Sequence, residues 1–229
     1  MKIAVIGTGM VGQALAGRLA GLEHDVVVGT RDVERTLART EPDMMGNPPY
    51  AAWQQDHPQV RLAGFADAGA HGEIVVNASA GANSLHALEL VGAENLAGKV
   101  LIDLAIPLDL SQGMPPSLLI AGADSLGEQI QRTYPQARVV KTLNTVFKDV
   151  MIAPDRVPGR HHLFIADEDA DAKATVVGML HQFGWPEEAI IDLGGIQAAR
   201  ATEMYMPLYF TLHDVLGTFD FNIAVTRAD

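Results

Sequence analysis

The N-terminal segment MKIAVIGTGMVGQALAGRLAGLEHDVVVGTRD constrains the fold of this chain more than any other part of it. The apolar run from Lys2 to Ile6 predicts a buried strand, and apolar residues at helical spacing from Val11 to Leu22 predict a helix. A second apolar run, Asp25 to Val28, completes a strand, helix and strand unit. Such a unit predicts an α/β protein whose first strands run parallel.

The turn between the first predicted strand and helix carries the pattern G-x-G-x-x-G. The first glycine makes a tight turn, the second lets backbone approach a diphosphate, and the third allows close packing of helix and strand. Free N–H groups at the start of the helix then donate to the diphosphate. An alternative is that the glycines only permit a tight turn. The predicted dinucleotide-binding residues are Gly7, Thr8, Gly9, Met10, Val11 and Gly12.

The second predicted strand ends in Gly-Thr-Arg, where an aspartate or glutamate would favour NAD and repel a 2′-phosphate. Thr30 and Arg31 occupy that position here, and Arg35 follows one helical turn later. A guanidinium can hold a phosphate through two parallel hydrogen bonds, and the Thr30 hydroxyl can donate a third. The segment therefore predicts NADP(H) as the cofactor. The alternative is that Arg31 pairs with Asp32 or Glu34 on the surface.

Strands and helices continue to alternate along the chain, which predicts a Rossmann-type α/β fold, a doubly wound parallel sheet, in residues 1–150. The further strands are predicted at 60–63, 73–78, 99–104 and 138–143, and the helices at 33–39, 50–56, 84–91 and 125–134. Residues 151–229 predict a small C-terminal α/β cap that completes the cleft. Its strands are predicted at 162–165 and 189–193, and its helices at 169–183 and 196–216.

Composition excludes several kinds of partner. The formal net charge of −12 argues against nucleic acid and against an anionic membrane surface. The chain has no cysteine, which excludes disulfides, thiolate metal sites and cysteine nucleophiles, and fits a cytoplasmic location. No run of about 20 apolar residues predicts a membrane-spanning helix.

No side chain stands out as a proton donor for reduction of a ketone. Lys141 lies inside a predicted strand, and His86 lies in the helix after the fourth strand, where a surface or packing position is expected. His161 and His162 are adjacent on a predicted strand, so their side chains point to opposite faces and do not predict a metal site.

Ligands of a doubly wound sheet bind at the carboxyl ends of its strands, so the segments 79–81, 105–107 and 144–146 are further candidates. Together with the N-terminal segment, the sequences KTLNTV at 141–146 and DLGGIQAARATE at 192–203 resemble the family of NADPH-dependent reductases of coenzyme F420. Relatives of that family include the cytoplasmic oxidoreductase domain of membrane metalloreductases. The resemblance extends along the whole chain.

The resemblance implies hydride transfer between the nicotinamide and the deazaflavin ring of F420, stacked in the cleft. Such a transfer needs apposition and exclusion of water more than a proton donor. It also implies that Thr30, Arg31 and Arg35 hold the 2′-phosphate, that Ser79 and Ala80 flank the nicotinamide ribose, and that Asn144 and Thr145 lie beside the reacting rings. The remaining candidates for cofactor binding are Ile106 and Pro107.

The sequence leaves three functions open, and F420 as the redox partner is the first of them. The second is NADPH-dependent reduction of a flavin, a ferric complex or another small acceptor. The third is a non-catalytic NADP(H)-binding sensor. The apolar residues of 196–216 predict either the core of the cap or the interface of a homodimer.

Overall fold

The computed structural model describes residues 1–43 and 45–228, and these residues form ten strands and eleven helices. The strands are β1 (Lys2–Ile6), β2 (Asp25–Thr30), β3 (Arg61–Gly64), β4 (Ile74–Asn77), β5 (Val100–Asp103), β6 (Leu108–Asp109), β7 (Ser117–Leu118), β8 (Arg138–Thr142), β9 (Leu163–Ala166) and β10 (Ile190–Asp192). The helices are α1 (Met10–Gly21), α2 (Val33–Leu37), α3 (Tyr50–Asp56), α4 (Phe65–His71), α5 (Ser84–Val91), α6 (Ala93–Leu96), α7 (Leu126–Thr133), α8 (Lys148–Ile152), α9 (Ala170–Phe183), α10 (Ala199–Met204) and α11 (Met206–Leu216).

Eight strands form one sheet in the order β10-β9-β8-β5-β4-β1-β2-β3. All neighbours in this sheet run parallel except β8 and β9, while β6 and β7 form a separate short antiparallel pair. The chain leaves β1 towards β2 and β3 on one side and returns to β4 on the other. This reversal beside β1 is the topological switch point of a doubly wound sheet, and the predicted Rossmann-type fold is confirmed.

The central strand β1 is buried on both faces, as parallel strands covered by helices usually are. Ile3 and Val5 pack with side chains of α1, α8 and α9, whereas Ala4 and Ile6 pack with side chains of α4, α5 and α7. Neighbouring residues of a strand point to opposite faces, so the continuous apolar run supplies both cores. The two cores hold the carboxyl ends of β1, β2 and β4 side by side.

The strands that follow residue 150 continue the main sheet. Thr142 of β8 lies opposite Ile165 of β9, and β10 then pairs with β9 in parallel. Residues on both sides of the predicted boundary at 150 therefore contribute to one sheet, and the division into a domain and a cap stays a prediction. The segment predicted as a cap adds two strands to the edge of the first sheet.

The prediction of one long helix over 196–216 is wrong. Residues 196–198 form a short 3-10 turn, and a single-residue turn at Tyr205, whose φ and ψ of −65° and −25° stay helical, separates α10 from α11. Pro207 lies in the first turn of α11. It has no N–H to donate to the carbonyl of Glu203 and its ring crowds that carbonyl, so an uninterrupted helix through this point is disfavoured.

Two histidine rings hold the C-terminal segment after α11. The amide nitrogen of Asn222 donates to Nδ1 of His161 at 2.9 Å, so His161 carries its proton on Nε2, which donates to the carbonyl of Pro154. The backbone N–H of Val225 donates to Nδ1 of His162 at 2.9 Å. Both rings accept from a neighbouring N–H, and a second proton on either ring would face that donor.

We predict that this attachment weakens in acid. Burial, followed by the charges of Arg160 and His161, lowers the pKa of His162 below its ordinary value of 6.5. The unfolded chain then binds this proton more readily, so the contribution of His162 to stability is present above pH 6.5 and is lost as the pH falls through the lowered folded-state pKa. Thermal unfolding from pH 7.5 to 5 measures the loss.

The matched control is His162→Asn, whose amide oxygen can still accept from Val225 but does not titrate. The melting temperature of this variant should fall less between pH 7.5 and 5 than that of the wild type. Identical pH profiles for the two proteins would contradict the role of His162.

Candidate functional site

The glycine turn after β1 has the steric form that the sequence predicts. Gly7 has φ of +125°, which other residues rarely adopt, and a Cβ there would lie 2.6 Å from the carbonyl oxygen of Ala78. A Cβ on Gly12 would collide with the carbonyl oxygen of Gly7. The turn therefore needs glycine at its first position, and α1 can approach β1 only because its third motif position is also glycine.

The start of α1 is open toward solvent. A Cβ on Gly9 would meet no atom within 4 Å, and no side chain within the described ranges caps this end of the helix. Met10 borders a small cavity of about 50 Å³ here, while the side chain of Val11 packs against the core. Uncapped N–H groups and the positive end of a 12-residue helix form a site that fits a diphosphate.

A cavity of about 260 Å³ lies at the carboxyl ends of β1, β2 and β4. It brings together seven residues that the sequence predicts for cofactor binding, and it adds Phe65 of α4 and Ala87 of α5, which the sequence did not single out. The lining residues are Gly7, Thr8, Gly9, Gly29, Thr30, Arg31, Phe65, Ala78, Ser79, Ala80, Asn83, His86 and Ala87.

A second cavity of about 740 Å³ adjoins the first and shares three of its lining residues. Arg31, Arg35 and Arg39 all border it. Arg39 was not predicted, although its spacing of four residues from Arg35 was a usable signal. The arginines that form ion pairs in the described part of the chain are other ones, so the alternative of a surface pair for Arg31 is not observed. The lining residues of this second cavity are Thr8, Thr30, Arg31, Asp32, Arg35, Thr36 and Arg39.

The residues between these arginines bond to one another. Asp32 caps α2, where its carboxylate accepts from the backbone N–H of Arg35 at 2.9 Å. The Thr36 hydroxyl donates to the carbonyl of Asp32, so the Thr30 hydroxyl must donate to Thr36 at 2.7 Å. Thr30 borders the site, but its proton is already used. The structure therefore does not support the expected hydrogen bond from Thr30 to a phosphate, and the arginines supply the donors.

The loops after β4 and β5 touch each other. At Gly81 a Cβ would collide with the carbonyl of Ile106 and would lie 2.7 Å from the nitrogen of Pro107. Ile106 and Pro107 support the loop that carries Ser79 and Ala80, but they do not line the 260 Å³ cavity.

Asn144 and Thr145 follow β8 and are almost completely buried, at 2% exposure each. Leu143 before them has φ of +64°, an unusual conformation for a residue other than glycine. Nδ2 of Asn144 and Oγ1 of Thr145 have no hydrogen-bond partner among the residues that the structure describes. Buried polar atoms of this kind call for a partner, and a bound molecule with polar edges fits them. They lie outside both cavities described above.

Lys141 is buried in an ionic cluster. Its ammonium donates to Asp103 at 2.8 Å, to Glu203 at 2.8 Å and to the carbonyl of Ala105 at 2.6 Å. Burial alone would lower the pKa of Lys141, but the two carboxylates outweigh burial and raise it. All three N–H bonds are used and the proton is held tightly, so Lys141 does not act as an acid toward a ligand.

The histidines of the chain have other roles. His86 lies at the rim of the 260 Å³ cavity, is largely exposed and faces Glu89 at 3.1 Å. His161 and His162 hold the C-terminal segment. Among residues 1–43 and 45–228, no three His, Cys, Asp or Glu side chains are grouped to hold a metal ion.

Doubly wound sheets with a glycine turn of this geometry form the class of Rossmann-type dinucleotide-binding proteins, and this chain is one of them. The family described as NADP oxidoreductase, coenzyme F420-dependent, matches residues 2–107. The structure of a candidate F420-dependent NADP reductase from Arthrobacter sp. FB24 superposes with a TM-score of 0.92. That protein is 51% identical and covers 99% of this chain and 100% of its own.

Two further relatives are more distant. The F420-dependent NADP reductase of Methanothermobacter marburgensis is 28% identical over 93% of this chain and 92% of its own length. Metalloreductase STEAP3 of Rattus norvegicus is 24% identical over 88% of this chain, which spans only 36% of STEAP3. The chain belongs to the family of F420-dependent NADP oxidoreductases, and it is an NADP-dependent oxidoreductase of that family. None of the helices described here is long and apolar enough to cross a membrane.

We predict that Arg31→Ala weakens binding of NADPH by about tenfold to a hundredfold, because one or two charge-assisted hydrogen bonds to the 2′-phosphate are lost. Binding of NADH, which lacks that phosphate, should change little. Titration calorimetry with both nucleotides measures the difference, and Arg39→Ala should shift it in the same direction.

Arg61→Ala is the control, since it removes the same charge from an exposed arginine that pairs with Asp25 at the other end of β2. Its affinity for both nucleotides should equal that of the wild type. If Arg31→Ala lost affinity for NADPH and for NADH to the same extent, Arg31 would not be part of a 2′-phosphate site.

Proposed function

We propose that this protein transfers a hydride between NADP(H) and the deazaflavin coenzyme F420. The observation that carries the proposal is that all three N–H bonds of the Lys141 ammonium are used inside the protein. Lys141 is the one basic side chain buried at the strand ends in the described residues. Lys141 is saturated, and His86 stands exposed at the cavity rim beside Glu89, so among the described residues no buried acid lines the cofactor cavity. Hydride transfer between two rings does not require such an acid.

The residues at the ends of β1, β2 and β4 fit NADP(H). The start of α1 would hold the diphosphate, Arg31, Arg35 and Arg39 would hold the 2′-phosphate, and Ser79 would lie at the nicotinamide half. The bound cofactor supplies the hydride at the nicotinamide C4 atom. The contribution of the protein is to bind and orient the nucleotide and to keep water away from the reacting position.

Asn144 and Thr145 are the side chains that we assign to the redox partner. Their polar atoms Nδ2 and Oγ1 are buried and have no partner among the described residues, so a molecule that reaches the end of β8 can bond to them. The flat, polar-edged ring of a deazaflavin satisfies that requirement. The names of the Arthrobacter and Methanothermobacter relatives support F420 as the partner.

Reduction of a flavin or a ferric complex is the second candidate function. The similarity to metalloreductase STEAP3 over 88% of this chain favours it. A scaffold that delivers a hydride to one planar ring can deliver it to another, so the two candidates differ in the acceptor and not in the NADP(H) site.

The decisive experiment mixes the protein with NADPH and oxidised F420 and follows the deazaflavin absorbance. We predict loss of the F420 absorbance together with oxidation of NADPH. Turnover only with flavins or ferric chelates would favour the second candidate, whereas NADPH binding without any turnover would indicate a sensor. Thr145→Val should reduce kcat about two- to tenfold through loss of one hydrogen bond, while the affinity for NADPH stays unchanged.

Thr175→Val is the control for this substitution, since the Thr175 hydroxyl lies exposed on α9 and donates to the carbonyl of Asp171. Its turnover should match the wild type. An equal effect of the two threonine variants would remove the assignment of Thr145.

We also propose that the protein is a homodimer joined through the apolar side of α10 and α11. Met204, Leu208, Val215 and Leu216 are between 42% and 79% exposed on these consecutive helices. Exposed apolar patches of this kind are typical of interfaces, and the same patch on two copies can pair about a two-fold axis.

Light scattering after gel filtration should therefore give the mass of two chains. The double variant Leu208→Lys, Val215→Lys should give one chain, because it places charges in the interface. Leu90→Lys, which changes an exposed leucine of α5, should leave the mass unchanged. A wild-type mass of one chain would contradict the proposal.

A further inference from the structure

A continuous series of buried polar contacts runs beneath the cofactor cavity and crosses the sheet. It begins at Glu203 of α10 and passes through Lys141 of β8, Asp103 of β5 and Asn77 of β4. It ends at Ser79, which lines the 260 Å³ cavity. The first four side chains are each at most 1% exposed. Ser79 is the point at which this series reaches the cavity.

The ionic end of the series fixes the direction of its hydrogen bonds. The carboxylate of Glu203 accepts from the N–H groups of Leu126 and Gly127 at the start of α7, at 2.8 and 3.0 Å, and from Lys141. The ammonium of Lys141 donates to Oδ2 of Asp103. The other oxygen of Asp103, Oδ1, accepts from the backbone N–H of Ala105 at 3.2 Å. Asp103 therefore presents only acceptors to its next neighbour.

Asn77 is oriented by this acceptor. Its Nδ2 donates to Oδ1 of Asp103 at 2.8 Å and to the hydroxyl of Ser84 at 2.6 Å. Both amide protons are then used, and the amide oxygen must face Ser79. The Ser79 hydroxyl donates to that oxygen at 2.7 Å. Since a hydroxyl has one proton, Ser79 can offer only lone pairs to the cavity.

We propose that Asn77, Asp103 and Lys141 are positioning residues that hold the Ser79 hydroxyl as a hydrogen-bond acceptor for the nicotinamide half of NADP(H). The group that donates to it is a ribose hydroxyl or the amino group of the carboxamide. This inference rests on the proposed function only in taking NADP(H) as the ligand. The buried ion pairs keep the amide of Asn77 from turning over, because the reversed amide would direct its N–H groups at Ser79 and its oxygen at Asp103.

Ser79→Ala tests the contact itself. Loss of one neutral hydrogen bond should weaken NADPH about two- to tenfold. The half-molecule 2′,5′-ADP lacks the nicotinamide, so its affinity should not change. The 3-acetylpyridine analogue of the cofactor lacks the amino group. If Ser79→Ala still weakens binding of this analogue, the donor is the ribose hydroxyl; if it no longer does, the donor is the carboxamide. Either result supports the proposal.

Asp103→Asn tests whether the buried series orients the Ser79 hydroxyl. Lys141→Met would leave two buried carboxylates without a cation and is expected to prevent folding, whereas asparagine keeps the volume of Asp103. Its amide oxygen would accept from Lys141, because a charged donor outweighs the neutral N–H of Ala105, so its own N–H groups would face Asn77 and that backbone N–H. The amide of Asn77 would then turn over and donate to Ser79, and the Ser79 proton would point at the donor of the ligand. NADPH should bind at least as weakly as it does to Ser79→Ala.

Selective effects separate positioning from damage to the fold. Asp103→Asn should leave the affinity for 2′,5′-ADP unchanged, and it should cause no further loss of NADPH affinity in a Ser79→Ala background. Unchanged NADPH affinity in folded Ser79→Ala and Asp103→Asn would overturn the proposal, as would equal losses of NADPH and 2′,5′-ADP in Asp103→Asn. Failure of the wild type to bind NADPH would instead remove the proposed function.

Discussion

The ammonium of Lys141, held between Asp103 and Glu203, is the interaction on which the arrangement of the site depends. Each buried ion loses several kcal/mol of hydration, so the cluster persists only with every partner in place. The three members of the cluster come from β5, β8 and α10, and Glu203 also accepts from the backbone at the start of α7. The cluster therefore joins the C-terminal helices to the strand ends, and loss of one member would disturb all of these elements together.

Charge is used differently at the two ends of the cofactor site. The arginines at the end of β2 are exposed and border an open cavity, so their attraction for a phosphate is screened by salt. The chain as a whole carries a net charge of −12, which makes this local positive region the feature that draws an anionic nucleotide. At β5 and β8 the charges are buried and paired, so they act on neighbouring hydrogen bonds and not on the ligand directly.

Local patterns predicted the fold well, because strands, helices and the glycine turn depend on near neighbours in sequence. The helices at 50–56 and 84–91 have the predicted bounds, and the alternation of strands with helices correctly predicted a doubly wound sheet. Short helices such as α4 and α6 lack a long apolar period and were missed. The break at Tyr205 depends on Pro207. The partners of Lys141 and the use of the Thr30 proton depend on residues far away in sequence or on side-chain geometry, which spacing does not reveal.

Thr30 and Ser79 show how donors and acceptors divide across the site. Each hydroxyl gives its proton to a neighbour inside the protein, Thr36 or Asn77, so both present lone pairs. Donors come instead from the arginines and from the N–H groups at the start of α1. Phosphates accept hydrogen bonds, while ribose hydroxyls and the carboxamide amino group can donate them. At Ser79 the internal hydrogen bonds thus present an acceptor where the proposed ligand can donate, and that orientation is set by Asn77, Asp103 and Lys141, which do not line the cavity.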